Sequence, residues 1–378
     1  MSTGPSSSPQ KILLVLPEVF NCSGGIQTFC RALCLAAGDW ARDSGGTVSA
    51  LVLNDGSVAP DARYVNGAFA SYAGAGKSKA KFVRQFLRYI TSSRYDWIIF
   101  GHVSLSPLAL IARLFNRHVK TGIAAYGIEV WGLLSKLERQ ALGQADVMLA
   151  ISEYTKAQLT KNPEVKADKV RIFPCTLDPH WQLDAYVEMP SQAPPVLLSV
   201  ARINKDDRYK GIDNVIRSLP AVVREVGPVE YRVVGRGDDA PRLRALAAGL
   251  GVSRYVNFMG SIADAELREQ YKRCSMFVMP SNEEGFGIVF LEAMAYGKAV
   301  VGGTNGGTPS VVKDGETGLL VDSSDVAGIA RSLIALLSDK EMRERMGRAG
   351  HQRLSDHFTF DQFARNFRDV VESGIAAR

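Results

Sequence analysis

Two glutamates eight positions apart, Glu284 and Glu292, lie in the part of this chain best suited to bind a phosphorylated ligand. The pattern around them predicts a buried strand over residues 275–280, a turn at Gly285 and Gly287, and a helix directly after the turn. Free backbone N–H groups at a helix start attract a pyrophosphate. Because Glu292 lies about one turn into the helix, both carboxylates can face one cleft and accept hydrogen bonds from ribose or sugar hydroxyls.

At these residues the chain resembles the retaining nucleotide-sugar glycosyltransferases of glycosyltransferase family 4, which are marked by Glu, seven residues and Glu. The resemblance covers nearly the whole chain. Besides the two glutamates, it rests on residues 23–27, 145–153, 199–203, 208–211, 233–237, 258–260, 306–309 and 314–321. It implies an α/β architecture of the GT-B type, with two Rossmann-like doubly wound parallel-sheet domains that face a cleft.

The resemblance also implies which residues bind the donor. Arg202 and Lys210 would stabilise the leaving diphosphate, Glu284 would hold donor-sugar hydroxyls, and Glu292 would bind the ribose. Arg202, Lys210 and Glu284 are therefore the candidate catalytic residues. The remaining expected donor contacts are Gly25, Gly235, Met259, Gly285, Phe286, Gly287, Ile288 and Val289.

Arg202 and Lys210 flank a loop that follows a predicted strand. A guanidinium binds phosphate oxygens through two parallel N–H groups and an ammonium acts as a compact charge, so the pair can neutralise a diphosphate without a divalent ion. The loop is longer than is usual in the family. The role of Lys210 therefore depends on Lys210 and Gly211 opening the next helix, and Lys205 and Arg208 are its competitors.

On the acceptor side we expect His102, Tyr126 and Glu129, which follow two predicted strands of the first half. The family often has histidine at the position of Tyr126, where it contacts the donor sugar or supports the transition state. A phenol can still hydrogen-bond, but the charge of an imidazole is lost. A purely structural histidine explains His102 equally well. Ser310 is another departure, because the family commonly has glutamate after the Gly-Gly-x-Pro turn.

The length of 378 residues exceeds what a single core supports, so two domains are expected. We predict a disordered tail over residues 1–10, an acceptor domain over 11–185 and a donor domain over 186–354. The proline-rich residues 184–195 indicate a linker. The aromatic stripe in residues 355–378 predicts a helix that, in the family, crosses back to the first domain; an ordinary core helix explains it equally well.

Short aliphatic runs alternate with helical stretches in both halves, which is typical of parallel sheets covered by helices. In the first half the predicted strands are residues 11–16, 47–53, 96–100, 120–124, 146–151 and 170–173. In the second half they are residues 196–200, 230–234, 255–258, 275–279, 298–301 and 318–321.

Composition and cysteine usage favour the cytoplasm. Hydrophobic residues make up 46% and charged residues 22%, as in ordinary globular proteins. The polar N-terminus has no apolar segment, and no later stretch is long enough to span a bilayer. The five cysteines include no Cys-x-x-Cys pair, and Cys30 with Cys34 indicates core residues rather than a metal site. We also find no Asp-x-Asp sequence, and expect no metal and no cofactor.

The net charge of +6 arises entirely from residues 1–185. In that half, Lys77, Lys81, Arg84 and Arg88 are predicted to share one stripe of a helix, with Phe82, Val83, Phe86, Leu87 and Ile90 facing the other way. A solvated surface explains the stripe. Contact with anionic lipid on the inner face of a membrane is the alternative, and it would suit a lipid-linked acceptor.

We therefore expect a metal-independent retaining glycosyltransferase of polysaccharide biosynthesis. It would move a sugar from a UDP- or GDP-linked donor to a hydroxyl of a glycan or lipid-linked acceptor. Two alternatives remain open: an NAD-dependent nucleotide-sugar epimerase or dehydrogenase that uses Gly235 and Gly237, and a nucleic-acid-binding protein that uses the basic half. Against the NAD site, the chain lacks an acidic residue at the distance that a dinucleotide site requires. Against nucleic-acid binding, the aromatic residues beside the basic stripe are predicted to face inward and could not stack on bases.

Overall fold

The computed structural model describes residues 9–56, 59–181, 183 and 194–373. The described residues form two compact units. The first is built from the chain up to Trp181 together with the residues from Thr359 onward, and the second from the intervening residues up to Phe358. The predicted linker over 184–195 and the predicted tail over 1–10 lie outside the described residues, except for the last two positions of each.

The first unit is a parallel sheet covered by helices. Its strands are β1 (Lys11–Leu16), β2 (Thr47–Val52), β3 (Phe69–Gly74), β4 (Trp97–Phe100), β5 (Lys120–Ala125), β6 (Val147–Ala150) and β7 (Val170–Ile172). Its helices are α1 (Gly25–Ser44), α2 (Lys79–Ser92), α3 (Pro107–Phe115), α4 (Ile128–Trp131), α5 (Lys136–Gln144) and α6 (Glu153–Leu159), with short 3-10 helices at Val103–Leu105 and Ala167–Lys169. The strand order is β3-β2-β1-β4-β5-β6-β7.

The second unit repeats this architecture. Its strands are β8 (Val196–Val200), β9 (Glu230–Val234), β10 (Val256–Gly260), β11 (Met276–Met279), β12 (Ala299–Gly303) and β13 (Gly318–Val321). Its helices are α7 (Ile212–Val226), α8 (Ala240–Gly249), α9 (Asp264–Arg273), α10 (Ile288–Ala295), α11 (Thr308–Val311), α12 (Val326–Ser338) and α13 (Lys340–His357), with 3-10 helices at Lys205–Lys210 and Ser253–Tyr255. The order β10-β9-β8-β11-β12-β13 is parallel throughout.

The predicted α/β class with two doubly wound sheets is confirmed, and every predicted strand is present within two residues at each end. The strand that the sequence did not reveal is β3. Its residues Phe69–Gly74 are mostly half-buried and include small side chains, so they lack the long aliphatic run that marks the central strands.

The strand order reverses at one point in each sheet. Successive strands are added to one side of β1 and of β8, and the chain then returns to the other side with β4 and β11. Ligands of such sheets bind at the carboxyl ends of the strands that flank this point. In the second unit, the segments after β8 and β11 carry Arg202 and Glu284.

A last helix, α14 (Phe360–Ser373), belongs to the first unit and packs on α1. The ring of Phe363 lies edge-on to Phe29 and Phe173, with centroid distances of 5.2 and 4.8 Å. The indole N–H of Trp97 donates to the carbonyl oxygen of Val371 at 3.1 Å. The aromatic stripe at the end of the chain is therefore the buried face of this helix.

The predicted basic stripe needs one correction. Lys77 precedes α2 and has a left-handed backbone with φ of 68°, so it is not on the helix. Ser78 caps α2 by accepting a hydrogen bond from the N–H of Lys81 at 3.3 Å. Lys81 is half-buried, whereas Arg84 and Arg88 are exposed.

The opposite face of α2 is partly as predicted. Phe82 and Phe86 are buried in the core of the first unit, and Ile90 packs against that core. Val83 was expected to face inward, but it is 38% exposed. Each helical residue turns by about 100°, so Val83 lies about a quarter turn away from Phe82, at the edge of the apolar face. Within the described part of the chain, no helix is both long enough and apolar enough to cross a membrane.

Candidate functional site

Lys210 and Glu284 form an ion pair at the point where the second sheet reverses its strand order. The ammonium Nζ lies 2.5 Å from Oε2 of Glu284, and the two side chains are only 15% and 14% exposed. Burial alone would lower the pKa of Lys210, but the neighbouring Glu284 and Tyr209 outweigh it and raise the pKa above the ordinary value. Lys210 is therefore held as a cation.

The long loop brings Lys210 to this place by folding into the 3-10 helix Lys205–Lys210. Gly211 ends that helix in the left-handed conformation, with φ of 75°, and α7 begins at the next residue. A Cβ atom on Gly211 would lie 2.5 Å from the carbonyl oxygen of Pro280, so only glycine permits this approach. Lys210 and Gly211 thus open the next helix, which is the condition on which the prediction for Lys210 depended.

The two competing cations point elsewhere. The ammonium of Lys205 lies 3.6 Å from Asp238, and the guanidinium of Arg208 lies 3.0 Å from the buried Asp239. Both therefore fasten the loop to the segment that follows β9.

Arg202 is the second predicted phosphate ligand. Its Nη2 lies 3.0 Å from Oδ1 of the buried Asp207, yet the side chain as a whole is 74% exposed. Asp207 also accepts hydrogen bonds from Asn204 and from the hydroxyl of Tyr209. Asp207 was not predicted, because an aspartate in a loop carries no signal until its burial is known. It holds Arg202 while leaving most of the guanidinium open.

The start of α10 is open in the way that anion binding requires. Gly287 precedes the helix with φ of 91°, and within the described residues no side chain caps it. Ile288 and Val289 form the half-buried first turn, and Gly285 is also half-buried. The N–H groups of Ile288 and Val289 are among those that a helix start leaves without intrahelical partners. Phe286 is buried, and its ring lies edge-on to Phe358 at 5.6 Å.

A glycine turn fixes the backbone of Glu284. Its carbonyl oxygen accepts a hydrogen bond from the N–H of Gly307 at 2.6 Å. Gly306 has φ of 77°, and a Cβ atom there would lie 2.5 Å from the same oxygen. The Gly-Gly-x-Pro segment therefore supports the site through its backbone, and does not need a glutamate at the position of Ser310 to do so.

Glu292 lies on α10, half-buried, and its Oε2 accepts a hydrogen bond from the hydroxyl of Tyr271 at 2.6 Å. The ring of Tyr271 is fully buried. This contact could not be predicted from the sequence, because β11 and a turn separate the two residues along the chain and Tyr271 is typical of an ordinary core residue.

Gly235 and Met259 lie at the same edge of the sheet. Gly235 has φ of 134°, and a Cβ atom there would overlap the carbonyl oxygen of Ala201, next to Arg202. Its N–H donates to the carbonyl oxygen of Gly260 at 2.8 Å. Met259 is half-buried in the bulge of β10.

In the first unit, Gly25 is exposed at the first position of α1. The carboxylate of Glu18 lies in the preceding loop and accepts hydrogen bonds from Gln27 at 2.7 Å and from Asn21 at 2.9 Å. Burial raises the pKa of Glu18, but hydrogen bonds from Asn21, Cys22 and Gln27 outweigh it, and the pKa is lowered. Glu18 was not predicted; its position directly after β1 and before the Gly-Gly turn was the available signal.

Of the three residues predicted on the acceptor side, Tyr126 is the one that is buried. Its ring is buried against Phe29, and its hydroxyl donates to the carbonyl oxygen of Gly101 at 2.8 Å. The hydroxyl of Tyr126 therefore hydrogen-bonds within the first unit, and its role toward an acceptor stays a prediction. The half-buried Glu129 accepts the backbone N–H of Tyr126 at 2.5 Å.

His102 caps the 3-10 helix Val103–Leu105. Its Nδ1 accepts the N–H of Ser104 at 3.1 Å and lies 2.8 Å from the hydroxyl of that residue. Burial lowers the pKa of His102, and the charges of Glu129 and Glu138 oppose this only in part. His102 is therefore a neutral capping histidine, with Nε2 as its remaining polar atom.

The predicted core cysteines Cys30 and Cys34 are both buried on α1, and Cys30 Sγ lies 3.9 Å from the hydroxyl of Tyr126. Among the described residues, no cluster of three or more His, Cys, Asp or Glu side chains is arranged to hold a metal ion.

Two doubly wound parallel sheets, with cations and carboxylates where the second sheet reverses, define an enzyme of the GT-B type. The chain belongs to glycosyltransferase family 4. Residues 23–181 match the model "Glycosyltransferase Family 4", and residues 188–353 match "Glycosyl transferases group 1". This confirms the family expected from the sequence and selects a nucleotide-sugar glycosyltransferase over the two alternative functions.

Similar proteins agree with this assignment. The chain is 30% identical over 316 residues to the GDP-mannose-dependent alpha-(1-6)-phosphatidylinositol monomannoside mannosyltransferase of Mycobacterium tuberculosis, covering 77% of this chain and 79% of that protein. The protein of the same name from Mycolicibacterium smegmatis is 31% identical over 317 residues, covering 77% and 80%.

Solved structures share the fold. Sucrose-phosphate synthase from Thermosynechococcus elongatus superposes with a TM-score of 0.79 at 22% identity, covering 98% of this chain and all of that one. The Anabaena protein HepE, in complex with UDP and glucose, superposes with a TM-score of 0.75 at 18% identity, covering 96% and 100%.

Proposed function

We propose that this enzyme transfers a hexose from a nucleoside diphosphate to an acceptor hydroxyl with retention of the anomeric configuration. The observation that carries the proposal is the buried pair of Lys210 and Glu284 beside the uncapped start of α10. This arrangement offers a fixed cation and backbone N–H groups to a diphosphate, and a carboxylate to the sugar attached to it.

Each donor contact has a distinct role in this proposal. Arg202 and Lys210 neutralise the charge that develops on the leaving diphosphate as the sugar becomes an oxocarbenium-like cation. Glu284 accepts hydrogen bonds from donor-sugar hydroxyls, and Glu292 from the ribose. The acceptor hydroxyl attacks on the face that the diphosphate leaves, and a phosphate oxygen takes its proton. Positioning and electrostatic stabilisation are sufficient for such a step.

We propose that transfer needs no metal ion, because Arg202 and Lys210 can supply the positive charge. Turnover in excess chelator should then match turnover in its absence. Loss of activity on chelation, restored by magnesium or manganese, would overturn this part of the proposal.

GDP-mannose is the donor we propose to test first, with a phosphatidylinositol mannoside as acceptor, because relatives 30% and 31% identical are named for these substrates. A lipid-linked acceptor also agrees with a cytoplasmic enzyme that binds the inner face of a membrane. The exposed Arg84 and Arg88, with the half-buried Lys81, are the residues of α2 that would face anionic lipid. Exposed Lys77 lies just before the helix and can add to this charge.

Calorimetry with GDP, UDP and ADP, followed by transfer assays with the corresponding sugars, tests the proposal. We expect one nucleoside diphosphate to bind and its sugar to appear on a lipid acceptor with the donor's anomeric configuration, as read by NMR of the product. A product of inverted configuration would overturn retention. Failure of all three nucleotides to bind would overturn the donor site itself.

A further inference from the structure

Tyr271 and Glu292 make a contact that the donor-site roles do not include. The hydroxyl of Tyr271, at the end of α9, donates to Oε2 of Glu292 on α10 at 2.6 Å. Hydrogen bonds to an ionised carboxylate are shorter and stronger than bonds between neutral groups. This bond therefore restrains rotation of the Glu292 side chain and holds its Oε2 atom in place.

The phenol can restrain Glu292 because its own ring is held. Tyr271 is fully buried, with the ring of Phe277 at a centroid distance of 5.9 Å and the ring of Tyr296 stacked at 6.3 Å. Burial, and then the charge of Glu292, raise the pKa of Tyr271 well above its ordinary value, so its hydroxyl keeps its proton and remains a donor.

We propose that Tyr271 is a positioning residue for nucleotide binding: it fixes the carboxylate of Glu292 in the orientation that accepts the ribose hydroxyls. The inference rests on the proposed ribose role of Glu292. A binding group works best when its orientation is set before the ligand arrives, because the cost of ordering it is then not subtracted from the binding free energy. Loss of the phenol should weaken only those contacts that Glu292 makes.

The test compares GDP and UDP with their 2′-deoxy and 3′-deoxy forms by calorimetry, in the wild type, Tyr271→Phe, Glu292→Gln and the double variant. We expect Tyr271→Phe to reduce the preference for the ribose form by about fivefold to tenfold, the size of one lost hydrogen bond of ordinary strength. Affinity for the deoxy form that lacks the contacted hydroxyl should be unchanged. The double variant should lose no more preference than Glu292→Gln alone, because both act on the same contact.

Tyr231→Phe is the matched control. Tyr231 is also a fully buried tyrosine of the second unit, but its hydroxyl lies 2.8 Å from Ser199 rather than from a donor-site residue. It should leave the ribose preference unchanged while reporting what loss of a buried phenol does to folding.

Two results would count against the inference in different ways. If Glu292→Gln removes the ribose preference but Tyr271→Phe retains it, or lowers affinity for ribose and deoxy forms equally, Tyr271 is structural. If Glu292→Gln itself retains the preference, the ribose role fails and the inference fails with it.

Discussion

Lys210 and Glu284 are nearly closed to solvent, so replacing either one leaves the other charge without its counter-ion. Removing one member of a buried pair typically costs about 3 kcal/mol or more. We therefore expect Lys210→Ala to lower the free energy of unfolding by about 3 kcal/mol and to weaken nucleoside diphosphate binding. Urea denaturation and calorimetry measure the two effects.

Lys205→Ala is the control for that change, because Lys205 is a lysine of the same loop whose ion pair with Asp238 is more than half exposed. Exposed pairs contribute at most about 1 kcal/mol. Equal losses in the two variants would show that Lys210 is not the buried partner of Glu284.

His102 gives a prediction about pH. Its Nδ1 accepts the N–H of Ser104, which requires the neutral ring, and burial lowers its folded pKa below the ordinary value of 6.5. The unfolded chain therefore takes up this proton first, and stability falls as pH drops below about 6.5. We expect the urea midpoint to fall between about pH 7.5 and about pH 5.5, and to fall less in His102→Asn, which keeps a capping acceptor but does not titrate. Identical pH dependence in both proteins would contradict this assignment.

Residue types and spacing were sufficient to single out Lys210 and Glu284, which the structure brings together, because the family pattern gives their order along the chain. Burial and partners could not be predicted in this way. Tyr126 was placed on the acceptor side because it follows a strand, and only the structure shows that its ring packs beside Phe29. Asp207 and Tyr271 were not predicted because only the structure shows their partners: Asp207 accepts a hydrogen bond from Arg202, and Tyr271 donates one to Glu292.

Among the connecting elements, the turn at Gly211 is the one that joins the long loop to the site. Gly211→Ala would place a Cβ atom 2.5 Å from the carbonyl oxygen of Pro280, in addition to the strain of a positive φ. The control is Gly45→Ala, directly after α1, where φ is +71° and the added Cβ meets no described atom within 4 Å beyond the adjoining backbone.

The backbone cost alone is about 1–2 kcal/mol in either variant. Overpacking adds about 1–3 kcal/mol at Gly211, and moves Lys210 away from Glu284. We therefore expect Gly211→Ala to be the less stable variant and the only one of the two with weaker nucleoside diphosphate binding. Denaturation measures the stability of the two variants, and calorimetry measures their affinity for the nucleoside diphosphate. Equal affinities would mean that the turn does not position Lys210.

Helices and strands were predictable to the extent that their apolar pattern was continuous. Central strands such as β4, buried at every position, were found from sequence, whereas the half-buried β3 was not. The start of α2 was placed too early, because Lys77 continues the helical spacing of charges. The spacing of charges does not reveal that Lys77 has a left-handed φ or that the Ser78 side chain caps the helix after it.

At the scale of the whole molecule, the excess positive charge of the first half is a property of the sequence, and the structure shows where part of it lies. Arg84 and Arg88 are exposed on α2, with Lys81 beside them, and residues 77–95 contain no acidic residue. Each basic residue near an anionic membrane contributes about 1 kcal/mol. We expect replacement of these three residues by glutamate to abolish sedimentation with anionic vesicles at low salt, while nucleotide binding is retained.

A control variant must show whether vesicle binding depends on the total charge of the protein or on the position of the charge on α2. The control reverses three exposed arginines of the second unit, so that the total charge changes equally: Arg217, Arg345 and Arg348. If α2 itself is the surface that contacts the lipid, this control should still sediment with the vesicles. If both variants fail to sediment with the vesicles, vesicle binding depends on the total charge of the protein and not on α2. If the wild-type protein already remains in the supernatant at low salt, α2 presents only a solvated surface and a water-soluble glycan is the better acceptor.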